Sequence, residues 1–171
     1  MIYEFCAENV TLLEKAMQAG ARRIELCDNL AVGGTTPSYG VTKAAVELAA
    51  NYDTTIMTMI RPRGGDFDYN DLEIDIMLED IRLTAQAGSQ GVVFGVLTAD
   101  KKLDKPNLEK LIAASKGMEI VFHMAFDELS DKDQLEAIDW LSQAGVTRIL
   151  TRAGVSGDSL EKRFAHYHRI L

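Results

Sequence analysis

Six short apolar runs alternate with helical patterns along the chain, and that alternation restricts the fold more than any other feature. The runs are Ile2–Cys6, Arg23–Cys27, Thr55–Ile60, Gly91–Leu97, Glu119–His123 and Arg148–Thr151. Between them, apolar residues recur at helical spacing, as in Ile74, Met77, Leu78, Ile81 and Ala85. A last pattern reads Leu160, Phe164, Tyr167, Leu171. Asn9, Asp71, Ser130 and Ser159 stand where helices take an N-terminal cap, and Pro106 suits a first helical turn. Strands that alternate with helices build a parallel sheet, because each return to the same sheet edge needs a crossover.

The junctions repeat. Gln18-Ala19-Gly20, Gln86-Ala87-Gly88 and Gln143-Ala144-Gly145 each close a helix and precede a strand, with glycine where the chain leaves the helix through a left-handed residue. Helix-to-strand connections are short. Strand-to-helix connections are mostly long, at 28–40, 61–71 and 98–106. In a parallel α/β fold these long loops gather at the C-terminal ends of the strands, where such folds bind ligands.

Strand faces distinguish a barrel from an open sheet. Ile2, Glu4 and Cys6 share one face against Tyr3 and Phe5; Arg23, Glu25 and Cys27 oppose Ile24 and Leu26; Val121 and His123 oppose Ile120 and Phe122. A sheet covered by helices on both sides is apolar on both. Charge on one face of several strands fits the interior of a TIM-type (β/α) barrel near its mouth. At roughly 28 residues per unit, eight units need about 230 residues. The 171 residues therefore read as a single domain, 1–171, holding six of eight units and C-terminally incomplete. Open sheet edges of that kind tend to pair with another chain, so a homo-oligomer is expected.

The chain carries 18 basic and 26 acidic residues, a net charge of −8. That balance argues against a nucleic-acid partner or an anionic membrane surface. No apolar run approaches the ~20 residues of a membrane span. The N-terminus lacks the basic region of a signal peptide. With only Cys6 and Cys27, a reducing cytoplasm and free thiols are expected.

Several residues offer chemistry. Arg61-Pro62-Arg63-Gly64-Gly65 follows the third run: two guanidinium forks and two glycines suit a carboxylate or phosphate. Thr36 and Ser38, in Gly33-Gly34-Thr35-Thr36-Pro37-Ser38, add hydroxyls to an anion pocket. Glu4 and Glu25 lie on corresponding faces of neighbouring strands, where each raises the other's pKa unless a cation is near. Cys6 and Cys27 end those strands, and thiolates favour Cu(I); they equally read as small buried hydrophobes. His123 is a candidate base or metal ligand, with Asp127 as the carboxylate that orients it. His166 and His168 read as helix-surface residues. No lysine falls within a strand, which disfavours a Schiff-base aldolase.

Arg22-Arg23-Ile24-Glu25-Leu26-Cys27, Gly33 to Gly40, Ile60 to Phe67, and Phe122-His123 to Phe126-Asp127 together resemble the CutC copper homeostasis protein family. The resemblance implies a (β/α)₈-type barrel, a cytosolic setting and a copper-linked role, with Cu(I) as the cofactor. Family members usually carry arginine where this chain has Met124, and they run on through further strands. Two functions are expected. The first is Cu(I) binding by Cys6 and Cys27, assisted by His123 or a methionine. The alternative is an enzyme or binding pocket for a small anionic metabolite, held by Arg61, Arg63, Gly64, Gly65, Thr36 and Ser38, with His123, Asp127, Glu25 and Glu4 as catalytic groups.

Overall fold

A computed structural model describes residues 2–153, 159, 161 and 162. Leu160, Phe164, Tyr167 and Leu171 of the last helical pattern, with His166 and His168, lie outside the described residues. Six parallel strands run in sequence order: β1 (Glu4–Glu8), β2 (Arg23–Cys27), β3 (Thr55–Met59), β4 (Gly91–Phe94), β5 (Glu119–Phe122) and β6 (Arg148–Ile149). The helices are α1 (Leu13–Gln18), α2 (Tyr39–Ala49), α3 (Asp71–Ala87), α4 (Lys105–Ala114) and α5 (Asp131–Gln143). The result is an arc of a TIM-type barrel, with β1 and β6 as its two edges among the described residues.

The two faces of the arc separate as their alternation predicts. Cys27, Met57, Met59, Val93 and Val121 pack together on the inner face. On the outer face, Ile24, Leu26 and Ile56 pack with Leu13, Met17 and Ala45 of α1 and α2. Val92, Phe94, Ile120 and Phe122 pack with the stripes of α3, α4 and α5, including Ile74, Met77, Ile81 and Leu108. The α3 stripe ends on buried Thr84, while Ala85 is exposed.

The repeated glycines do what their position requires. Gly20, Gly88 and Gly145 have φ of +101°, +89° and +91°, a region that a side chain disfavours. Ser130 caps α5 by accepting from the Asp133 amide. Two expected caps differ. Asn70, not Asp71, caps α3, because Asn70 and Glu73 each bond the other's backbone amide in a capping box. Asn9 does not cap α1. It takes φ +55°, its amide donates to the Cys27 carbonyl, and its side chain donates to Asp28.

Strand ends also shift. β1 runs on through Ala7 and Glu8, because Glu8 finds a partner in Cys27. Gly95, Val96 and Leu97 leave the sheet after Phe94, and β6 stops at Ile149.

Candidate functional site

The register places the inner-face groups. Glu4 lies opposite Arg23, Cys6 opposite Glu25 and Glu8 opposite Cys27. Glu4 pairs with Arg23, Nη1 to Oε2 at 3.2 Å. One step along, the Cys6 and Cys27 sulfurs approach to 4.0 Å and both donate to Oε1 of Glu25, at 3.6 and 3.8 Å. One ligand atom each from Cys6, Glu25 and Cys27 lies within 4.8 Å of the others. Cys6 is exposed while Cys27 and Glu25 are buried, so the cluster has a wet side and a dry side.

Electrostatics disfavours the charged forms of Glu25 and Cys27. Burial, then the charge of Glu4, pushes Glu25 up to about 7, against the opposing hydrogen bonds from the thiols. The sulfur of Cys6 beside it, then burial and Glu25, hold the Cys27 thiol well above its ordinary value. Oε2 of Glu25 is buried without a hydrogen-bond partner. A metal–thiolate bond is about 2.3 Å long. Two such bonds span the observed 4.0 Å, so one ion reaches both sulfurs without strand movement. Met59 closes the space beside Cys27. A β-carbon at Gly34 would lie 3.1 Å from the Cys27 sulfur and 3.6 Å from the Met59 methyl.

His123 is not part of this group. It is buried where the chain leaves β5, with its amide bonded to the Phe94 carbonyl. Its Nδ1 accepts from the Ala125 amide at 3.2 Å, so that amide, rather than Asp127, orients the ring. Asp127 instead accepts from the Thr151 hydroxyl and the Arg152 amide, tying the turn after β5 to the end of β6. Burial, then the charge of Arg61, pushes His123 down to about 3.

The expected anion-binding residues are largely engaged with the protein itself. Arg61 donates from Nη1 to the carbonyls of Val32 and Gly34, and from Nη2 to that of Gly65, at 2.9, 2.9 and 2.8 Å. Arg63 pairs with Glu73 and Asp66 and donates to the Asp68 carbonyl. Thr36 accepts from the Arg61 amide, and Ser38 caps α2. Gly64 packs against Val32, where a β-carbon would come within 2.8 Å, and Gly65 takes φ +88°. A cleft of about 570 Å³ opens nearby, walled by Phe67, Leu97 and Thr98 and flanked by the Lys101–Glu128 ion pair.

Sequence reasoning missed Tyr69. It is buried, with the Arg63 guanidinium stacked on its ring, and it lies in a loop without periodicity to mark it.

Strands in sequence order, helices outside and long loops at one end define a TIM-type α/β protein, here with a dithiol–carboxylate cluster on the inner face. The CutC family model matches residues 1–164, and the chain belongs to that family. A CutC family protein of Enterococcus faecalis is 51% identical over the whole chain, which covers 82% of that relative. One from Streptococcus pyogenes is 52% identical over 88% of this chain and 72% of the relative. A crystal structure from Streptococcus agalactiae, named as a copper homeostasis protein CutC, superposes with TM-score 0.95 at 45% identity. It covers 99% of this chain and 81% of that one. A Schiff-base fructose-1,6-bisphosphate aldolase, at TM-score 0.62 and 15% identity, shares the fold alone. No helix among the described residues is long and apolar enough to cross a membrane.

Proposed function

We propose that the protein serves copper homeostasis in the cytoplasm by holding Cu(I) between Cys6 and Cys27. The observation that carries this reading is the 4.0 Å approach of the two sulfurs over one buried carboxylate. Two soft thiolates select Cu(I) over harder divalent ions. Exposed Cys6 gives the ion an entry side, and Cys27 gives it a dry one. Binding releases the thiol protons to solvent, and Glu25, beside both sulfurs, is a third donor within reach of the ion. The role fits the name carried by the Streptococcus agalactiae relative.

Anaerobic Cu(I) titration against a competing chelator tests this directly. Wild type is expected to take one ion per chain, and Cys6→Ser/Cys27→Ser to lose that site. Equal affinity in both proteins overturns the proposal.

A second reading is a pocket for a small anionic metabolite in the barrel mouth. It is favoured by buried polar atoms of Arg61, Tyr69 and His123 that have no hydrogen-bond partner.

A further inference from the structure

We propose that Arg61, Tyr69 and His123 form an oxyanion-binding site separate from the dithiol, in which His123 acts as a neutral hydrogen-bond donor. This rests on the anionic-metabolite reading and specifies its chemistry.

The three side chains are 4%, 5% and 4% exposed. Each has one buried atom without a hydrogen-bond partner: Nε of Arg61, the hydroxyl of Tyr69 and Nε2 of His123. Buried polar atoms are otherwise almost always paired, so orphaned atoms on neighbouring side chains point to a ligand or ordered water. They share a neighbourhood. The Phe67 ring lies 5.0 Å from the Arg61 guanidinium carbon and 4.8 Å from the His123 ring. The charge of Arg61 acts on both His123 and Tyr69. Its guanidinium lies near enough to the Tyr69 hydroxyl to interact with it directly, which sets the two groups side by side.

The backbone leaves room for this arrangement. Arg61 follows β3, Gly95 follows β4 and His123 follows β5. A β-carbon at Gly95 would stand 2.6 Å from Nδ1 of His123, so the imidazole occupies the place of a side chain just beyond the end of β4.

All three unpartnered atoms can donate. Arginine Nε–H is always a donor, and tyrosine carries O–H. His123 is fixed by its other nitrogen. Because Nδ1 accepts from the Ala125 amide, the proton of the neutral ring sits on Nε2. Arg61 cannot swing away, because three carbonyls hold its terminal nitrogens. Fixed donors beside a buried positive charge complement an acceptor-rich group and repel a cation. The ligand class is therefore a small molecule with a carboxylate or phosphoryl-type oxyanion, and His123 does not take up its proton.

The test uses the full chain with two probes, sulfate for a tetrahedral phosphoryl-type group and oxalate for a planar carboxylate. The tighter probe identifies the source of the oxyanion. His123→Asn keeps an acceptor for the Ala125 amide but removes the donor at Nε2. His123→Gln restores a donor near that place. Calorimetry is expected to give saturable binding in wild type, weakened about tenfold or more in His123→Asn and largely recovered in His123→Gln. Unfolding midpoints of the variants check that they fold. Sulfate affinity is expected to stay level from about pH 8 to about pH 5.5, because the ring is neutral throughout. Affinity that climbs below about pH 6.5 would make the imidazolium the binding form and overturn the neutral-donor role. Binding that His123→Asn leaves unchanged overturns the role of His123 while the anionic-metabolite reading stands. No saturable binding of either probe to wild type overturns both.

Discussion

Cys6 and Cys27 sit diagonally across two parallel strands, with their sulfurs 4.0 Å apart and Glu25 bonded to both. The diagonal follows from the register: Cys6 faces Glu25 and Glu8 faces Cys27, so the sulfurs meet over the carboxylate. At the dry end, the charged forms of both Glu25 and Cys27 are disfavoured.

Metal uptake by this cluster therefore displaces protons. Cu(I) affinity is expected to rise with pH, by up to roughly tenfold per unit for each proton released. Competition titrations at several pH values check this. A flat profile would mean that the thiols are not the ligands.

The metal-free protein carries its own pH dependence. Glu25 titrates near 7 when folded and near 4.5 as a free side chain. The folded state disfavours the charged form, so this group costs nothing below the lower value and destabilises progressively as pH rises to the upper one. Glu25→Gln is expected to remove that loss, worth at most about 3 kcal/mol above neutrality. Urea unfolding of both proteins at acid and neutral pH reads the difference.

Arg61 holds two loops together through the carbonyls of Val32, Gly34 and Gly65. Arg61→Met keeps much of the volume and removes the donors. It is expected to destabilise the fold by about 3 kcal/mol or more, since buried bonds to a charged group are worth about 1.5–3 kcal/mol each. Chemical denaturation measures this, and faster amide exchange at 32–36 locates it.

Gly91 lies under Met57. A β-carbon there would fall 2.0 Å from the methionine methyl and 2.8 Å from the Glu119 carbonyl. The methionine can move, but the strand backbone cannot move freely. Gly91→Ala is expected to cost about 1–3 kcal/mol, seen as a lower denaturation midpoint.

Ile2 and Tyr3, just before the edge strand β1, are exposed at 57% and 68%. Sedimentation at micromolar concentration is expected to show a dimer or larger species, because unprotected edges pair. A stable monomer would count against self-association.

What was legible in the sequence is local. Strand alternation separated Cys27 and Glu25 from Ile24 and Leu26, and the repeated glycines marked the helix ends, because each signal spans a few residues. The pairing of Cys6 with Cys27 was also accessible, since it needs only neighbouring strands and a shared face. The engagement of Arg61 was not. Its partners are carbonyls of Val32, Gly34 and Gly65, and a carbonyl has no residue type to read. Asn9 looked like a helix cap for a similar reason, because its real partner is the backbone of Cys27. Tyr69 stands in a loop, and only the fold brings it against Arg61 and Arg63.

The imidazole of His123 occupies space that Gly95 leaves open. This makes the two positions a single heritable unit. A lineage that acquires a side chain at position 95 must lose or reorient the histidine in the same step, and one that loses the histidine releases position 95 to drift. Among divergent sequences of this fold, glycine at 95 and histidine at 123 are therefore expected to be kept or abandoned together.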